Sequence, residues 1–298
     1  MSFAEVKKQI ITFLREKGFR FVNESIVRCN ENDGSIVIKL SEGKSIFYVK
    51  GFSRRAMEDV LLEIRFINFV SECGISVPQI LHINGEYVFT CYLENTSIIF
   101  YVMTELTGDT IIVKETYLDI ASKIADIHNM KEKIQYLGQT DGKSDHQRLE
   151  EFLNNNRMFA IEFLDVGQVK HMLENHVPSN DFCLIHADLY IGNIVTRNGS
   201  FFGLIDFSDI RNGLPEDDFG KFLQNVLTSQ VDNYLAKEVV ETYGKTRNYQ
   251  VDFKEIYISC IYRILFNFKC IGEQLDKGIK EKYRNAINFC VMEYEKYE

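Results

Sequence analysis

Leu184-Ile185-His186-Ala187-Asp188-Leu189-Tyr190-Ile191-Gly192-Asn193-Ile194-Val195, with Leu204-Ile205-Asp206-Phe207-Ser208 after it, is the part of the chain from which the rest can be read. In the first segment a carboxylate and an amide stand five residues apart, on a predicted loop between apolar runs. In the second, an aspartate follows an apolar strand directly. His-x-Asp or Asp-Phe alone is common by chance. In this order and at this spacing, with a strand, a loop and a hairpin around them, they form a pattern with a chemical meaning.

Phosphoryl transfer needs these parts. One carboxylate orients an acceptor hydroxyl and takes its proton, while an amide and a second carboxylate, both hard oxygen ligands, hold Mg²⁺ on nucleotide phosphates. His186, Asp188, Asn193 and Asp206-Phe207 match the spacing of a kinase catalytic loop and its metal-binding Asp-Phe-Gly, with Ser208 in place of the glycine. This reading requires a lysine on a central strand and a glutamate on the helix that follows. Lys50 ends Ser45–Lys50, the last strand before such a helix. Glu63 shares a helix face with Val60, Phe66 and Ile67, where an unpaired carboxylate would be costly, so a Lys50–Glu63 ion pair is predicted. Glu58 competes, but Arg54 and Arg55 precede it by a turn and suggest a solvated pair at the helix start. Lys39 lies one strand too early and is expected to point to solvent. The turn Glu31-Asn32-Asp33-Gly34-Ser35 has a single glycine; its amides and the Ser35 hydroxyl either bind phosphate oxygens or form an ordinary hairpin turn.

Working outward, Ser25–Asn30, Ile36–Leu40 and Ser45–Lys50 are β-rich runs separated by Asp-Gly and Glu-Gly turns, the pattern of antiparallel hairpins. A helix over about 1–17 precedes them and one over Arg55–Cys73 follows, closed by Gly74. Strands are predicted at Glu86–Tyr92 and Ser97–Met103. After Gly108 helical periodicity dominates, at 115–130, 147–164, 166–176 and over the last eighty residues, interrupted by extended Phe182–Ile194 and a hairpin at Val195–Ile205. The expectation is an α+β protein of two lobes: residues 1–103 with an antiparallel sheet, a hinge at 104–108, and a mostly helical lobe over 109–298, with ligands taken up between the lobes.

Together these residues resemble the aminoglycoside phosphotransferase and choline kinase-like family of small-molecule kinases. The likeness runs through Phe47–Lys50, Leu62–Phe66, Gly74–Pro78, Val102–Gly108, Ile124–His128, His186–Asn193 and Gly203–Phe207, and its overall layout looks nearest to the 2″-aminoglycoside kinases. The resemblance implies a two-lobed protein-kinase-like fold, with Asp188 as catalytic base and Asn193 and Asp206 as Mg²⁺ ligands. It also implies that Lys50 contacts the phosphates of ATP or GTP, that backbone atoms near Thr104 and Leu106 hold the base, and that His186 and Asp218 brace the loop. Two departures stand out: alanine at 187 where the family often has glycine, and Leu214-Pro215 where it has Asp-Pro.

The acceptor is less legible. Helix Phe253–Ile271 is apolar nearly all round, with Ser259, Arg263 and Asn267 on one face. Arg263 either faces the acceptor or pairs with a nearby acid such as Glu216 or Asp217, and Glu216, Asp217, Glu238 and Glu241 are the carboxylates that could receive a cationic acceptor. An aminoglycoside is the first expectation, another amino-alcohol, sugar or amino acid the second, and a nucleotide-binding pseudokinase the third. Only eleven residues separate Asp206 from Asp218, too few for an activation segment that binds a peptide.

Composition sets the outer limits. The 298 residues carry 34 Lys+Arg against 43 Asp+Glu, a net charge of −9 that argues against a nucleic-acid partner. No apolar run long enough to span a membrane is present. Seven scattered cysteines without a Cys-x-x-Cys pair suit reduced thiols and a cytoplasmic setting better than a disulfide frame. The charge is compatible with a cationic acceptor and is weak support for one.

Overall fold

The computed structural model describes residues 2–31, 34–93, 96–109, 112–130, 142–229, 233–271 and 277–297. The chain divides into two compact units, Met1–Thr107 and Gly108–Glu298.

The first unit opens with α1 (Phe3–Glu16), started by a capping box in which Ser2 and Glu5 bond reciprocally. Strands β1 (Asn23–Asn30), β2 (Ser35–Glu42) and β3 (Ser45–Phe52) precede α2 (Met57–Glu72), and β4 (Phe89–Leu93) and β5 (Thr96–Thr104) complete the unit. All pairings are antiparallel, in the order β1-β2-β3-β5-β4. Alternation along the strands decides what each face meets. Ile36, Ile38 and Leu40 of β2, with Val49, Ile98, Phe100 and Val102, pack against Val6, Ile10 and Leu14 of α1. The other face places Phe52 and Tyr101 against Val60 and Ile64 of α2. Lys50 sits opposite Val37 on one side and Tyr101 on the other, so it lies on this α2 face. Lys39, opposite Tyr48, and Ser35, opposite Phe52, share it.

The second unit contains α3 (Lys114–His128), α4 (Asp145–Asn155), the short α5 (Arg157–Ala160) and α6 (Val166–Glu174). Strand β6 (Cys183–Ile185) pairs with β9 (Arg211–Gly213), and β7 (Ile194–Arg197) with β8 (Ser200–Leu204). Then come α7 (Pro215–Thr228), α8 (Asn233–Thr246), α9 (Phe253–Ile271) and α10 (Lys277–Tyr294). The helix predicted over 147–164 is two helices, because Asn156 leaves helical geometry at φ −132°. Helix α9 packs against α4, α7 and α10, which explains its apolar circumference. Its crossing with α7 is close: a Cβ on Gly220 would lie 2.4 Å from Ser259 Oγ, so only glycine fits. Among the described residues no disulfide joins the cysteines, and no helix is long and apolar enough to cross a membrane.

Candidate active site

In the first unit the predicted ion pair is present. Lys50 Nζ lies 2.7 Å from Glu63 Oε1, with the lysine 4 % and the glutamate 0 % exposed. Glu63 has two further partners that the sequence reading missed. Arg55 donates to Oε2 at 2.6 Å and Tyr101 Oη donates to Oε1 at 2.8 Å. Arg55 therefore belongs to Glu63 rather than to the exposed Glu58, which corrects the expected helix-start pair. Lys39 does not simply face solvent: it shares the Lys50 face and lies 3.4 Å from Glu105, which also accepts from Tyr48 Oη at 3.1 Å. Reading β2 as a strand gives the alternation, but the face on which Lys39 falls depends on register.

At the end of β5 the Thr104 N–H donates to Gln79 O at 2.9 Å, Thr104 Oγ1 accepts from Gln79 N at 3.0 Å, and the Glu105 N–H donates to Ile46 O at 3.1 Å. The next N–H, that of Leu106, makes no backbone hydrogen bond among the described residues. Asn32 and Asp33 of the predicted phosphate-covering turn lie outside the described residues. Gly34 adopts φ +65°, and Ser53 N donates to its carbonyl at 3.0 Å, tying the turn to the end of β3 beside Ser35.

In the second unit the catalytic-loop pattern folds as one clamped turn. Asp218, in the first turn of α7, accepts from His186 N at 2.8 Å and from Ala187 N at 2.5 Å. His128 stands 3.5 Å behind it. Burial pushes the Asp218 carboxyl up, but His128 and the other neighbours outweigh that and hold it below its ordinary value, so it remains an acceptor for both amides. His186 Nε2 lies 3.2 Å from Ile205 O and its ring packs on Phe207, 4.9 Å between centroids. The loop is thereby fixed to the Asp206 segment. Ala187 fits, at a left-handed φ of +62° that suits glycine better.

Asn193 donates through Nδ2 to Asp188 O at 3.0 Å and to Asp188 Oδ2 at 2.9 Å, which fixes its amide with Oδ1 turned the other way. The β7–β8 pairing carries Asn193 to Ile205, whose N–H donates to Asn193 O at 3.0 Å, and so next to Asp206. Asp206 sits at φ +56° with Ser208 Oγ donating to Oδ1 at 2.5 Å. Lys221 of α7, a residue the sequence reading did not name, places Nζ 3.4 Å from Asp188 Oδ1. Burial pushes the Lys221 ammonium down, against the opposing attraction of Asp188. The signal was available: Lys221 falls among Phe219, Phe222 and Leu223 in a helix turn that is buried throughout, the kind of setting that singled out Glu63.

The substrate candidates fare differently. Arg263 Nε donates to Asp145 Oδ2 at 2.6 Å, so its acid is Asp145 and not Glu216 or Asp217. Ser259 Oγ donates to the same oxygen at 2.8 Å, and Arg211 reaches Asp145 Oδ1 at 2.8 Å. Asn267 donates to Gln224 Oε1 at 3.0 Å, completing a polar stripe whose three members each bond within the unit. Asp217 is fully buried and accepts from the Asp145 and Leu214 amides. Burial, then the charge of Asp145, pushes its carboxyl well up. Glu216 is buried at the start of α7, and burial raises its carboxyl to about 7. Glu238 pairs with Lys114 at 2.5 Å. None of the four stands as an open carboxylate or cation for a ligand; each is held by burial or by a partner from a distant element.

The family model described as the phosphotransferase enzyme family matches residues 29–251, more than half of the chain. The chain belongs to this phosphotransferase family. No curated protein matches the sequence significantly. Solved structures match over nearly the full length. An amicoumacin kinase in complex with AMP-PNP and Ca²⁺ is 16 % identical, with a TM-score of 0.65 and coverage of 98 % of this chain and 96 % of that one. A microcompartment-associated aminopropanol kinase is 14 % identical, with a TM-score of 0.64 and coverage of 96 % and 97 %. A spectinomycin phosphotransferase in complex with ADP and spectinomycin is 13 % identical, with a TM-score of 0.59 and coverage of 95 % and 97 %. At these identities the likeness is one of fold, and the fold of this phosphotransferase is the antiparallel-sheet and helical arrangement that the sequence predicted.

Proposed function

We propose that this phosphotransferase moves the γ-phosphoryl group of ATP or GTP to a hydroxyl of a small amine-bearing molecule, with aminoglycosides the first class to test. The observation that carries the reading is the lock between Asp188 and Asn193: both amide bonds of Asn193 end on Asp188, on a loop whose backbone Asp218 clamps. A carboxylate held this way is pre-oriented to accept the proton of an attacking hydroxyl, so orientation supplies much of the rate. The Lys221 ammonium beside Oδ1 places a fixed positive charge where negative charge gathers during transfer.

Asn193 Oδ1 and the Asp206 carboxylate are hard oxygen donors at the two ends of the β7–β8 hairpin, where Ile205 N bonds to Asn193 O, and this set suits Mg²⁺. The ion would neutralise phosphate charge when bound. Lys50, held by Glu63, contributes a positioned ammonium for the phosphates, and the Ser35 hydroxyl lies on the same sheet face. The Thr104 carbonyl and the Leu106 N–H are the backbone groups that would hold the base, since the intervening Glu105 N–H is already bonded.

The relatives named for spectinomycin and aminopropanol support an amine-bearing acceptor. A small amino-alcohol is the second reading, favoured because Glu216, Asp217, Glu238 and Arg263 are engaged internally and form no acidic cradle for a polycation. The test presents ATP and GTP separately with aminoglycosides, amino-alcohols and sugars and measures nucleoside diphosphate release. Acceptor-dependent release that vanishes in Asp188→Asn, while nucleotide still binds, is the expected result. Undiminished turnover by Asp188→Asn would remove its assignment as base, and release with amino-alcohols alone would select the second reading.

A further inference from the structure

Away from the phosphotransfer residues, a second group of ligand-type side chains converges within the helical unit. His146 lies in the first turn of α4, His176 just beyond α6, and Glu255 in the first turn of α9. One ligand atom from each lies within 4.8 Å of the other two. His176 Nε2 stands 3.2 Å from Glu255 Oε2, and His146 Nδ1 stands 3.6 Å from the same oxygen. Asp252, which caps α9 by accepting from Glu255 N, adds a second carboxylate 3.3 Å from His176 Nε2.

Hydrogen bonding accounts for the His176–Glu255 contact at 3.2 Å but not for the rest of the cluster. His146 is only 7 % exposed, yet among the described residues its Nδ1 has no hydrogen-bond partner, and Glu255 Oε1 is likewise buried without one. The 3.6 Å separation from His146 Nδ1 to Glu255 is beyond hydrogen-bond reach. Buried polar atoms are nearly always satisfied, and an orphaned imidazole nitrogen facing Glu255 Oε2 calls for a shared partner. Four ligands around a zinc-sized ion at ~2.0–2.1 Å are separated from one another by about 3.3 Å. The separations of 3.2 and 3.6 Å from Glu255 to the two imidazoles, and of 3.3 Å from Asp252 to His176, lie close to that value. Imidazole nitrogens with carboxylate oxygens select a borderline ion such as Zn²⁺ over Mg²⁺ or Ca²⁺. His146 lines a pocket of about 120 Å³ with Glu150 and Glu174, and His176 and Asp252 line a larger one with Asp181.

We propose that His146, His176 and Glu255, with Asp252 as the fourth ligand, bind one divalent transition-metal ion of the zinc type, which staples α4, the end of α6 and the start of α9 together. The ion would sit one residue from Asp145, the acid to which Arg211, Ser259 and Arg263 are tied, and so reinforce the junction between α4 and α9.

The test uses the full chain, freed of metal with a chelator and without nucleotide. Zn²⁺ is titrated in competition with a chromophoric chelator, and Co²⁺ is added to a second sample to read its visible ligand-field absorption. The expected result is one equivalent of Zn²⁺, a tetrahedral-type Co²⁺ spectrum, and a higher thermal midpoint with Zn²⁺. His146→Gln/His176→Gln should weaken Zn²⁺ binding by at least about a hundredfold, the upper end of what losing an outer-sphere partner costs. Asp206→Asn, which alters the proposed Mg²⁺ ligands, should leave it unchanged. Binding that survives the histidine double variant, or is lost in Asp206→Asn, would overturn the proposal. If the double variant fails to fold, Glu255→Gln serves in its place, and a wild-type chain that gives no Co²⁺ ligand-field bands refutes the site by itself.

Discussion

Replacing Glu63 tests the most consequential contact in the sheet-bearing unit. Its carboxylate is fully buried and holds three donors: Lys50 at 2.7 Å, Arg55 at 2.6 Å and Tyr101 at 2.8 Å. In Glu63→Gln the amide can still accept from Tyr101, but Lys50, 4 % exposed, loses the carboxylate charge that lies 2.7 Å from its ammonium. Removing one partner of a buried ion pair costs ~3–5 kcal/mol. Arg55, whose side chain is 18 % exposed, regains water and adds about 1 kcal/mol or less. In Lys50→Met the carboxylate keeps Arg55 and Tyr101, so the loss is about 2 kcal/mol, the scale of one hydrogen bond to a charged group. The expected asymmetry is therefore Glu63→Gln well below Lys50→Met in stability, with the double variant less damaged than the sum of the two. The chain has no tryptophan, so unfolding in urea is best followed by far-ultraviolet circular dichroism, with hydrogen exchange at β3 and α2 to localise the change. With a slope of ~1.5 kcal/mol/M, Glu63→Gln should shift the first unit's midpoint by about 2–4 M. A Glu63→Gln protein as stable as Lys50→Met would show that Lys50 does not depend on Glu63 and would refute the reasoning.

Three further outcomes are expected. Lys221→Met should lower kcat by about 10–100-fold with the nucleotide KM changed by less than about threefold, because a fixed charge beside Asp188 acts on transfer more than on binding; an unchanged kcat in steady-state assays would dismiss the role. Glu216, with its folded carboxyl raised to about 7 by burial, makes the native state lose stability as pH rises from its unfolded value near 4.5 through 7. Glu216→Gln should flatten that stretch of the pH–stability curve and stabilise the protein above pH 7 by about 3 kcal/mol, and a steeper curve would reverse the sign of the argument. At Ala187, φ +62° costs alanine ~1–2 kcal/mol, so glycine should change stability by less than about 1 kcal/mol once its greater unfolded-state freedom is counted, whereas valine should destabilise by about 2 kcal/mol or more in thermal unfolding. A tolerated valine would mean that the loop does not need the left-handed turn.

Much of this was open to reading along the chain. Strand alternation and Asp-Gly turns gave the hairpins of β1 to β3, and periodicity gave the position of α9. Glu63 was recognisable because a carboxylate in an apolar helix stripe demands a partner, and the partner had to be a cation on a neighbouring strand. The same argument reaches Lys221 in α7, where it shows that a counter-ion is needed without showing that the counter-ion is Asp188. The break between α4 and α5 was hidden because neither a glycine nor a proline marks the stop at Asn156.

Residue types in their order, His186 through Asn193 and then Asp206, are enough to write down the chemistry, because phosphoryl transfer constrains the spacing of its ligands more tightly than it constrains the surrounding sequence. Partnership is another matter. Arg263 and Asp145 are 118 positions apart, and His146, His176 and Glu255 come from three separate elements. Periodicity states which face of a helix is buried; it carries no information on which residue of a distant element lies across from that face. Only the packing of α4 against α9 decided that Arg263 meets Asp145 and not Glu216 or Asp217, and that two histidines close on a single glutamate.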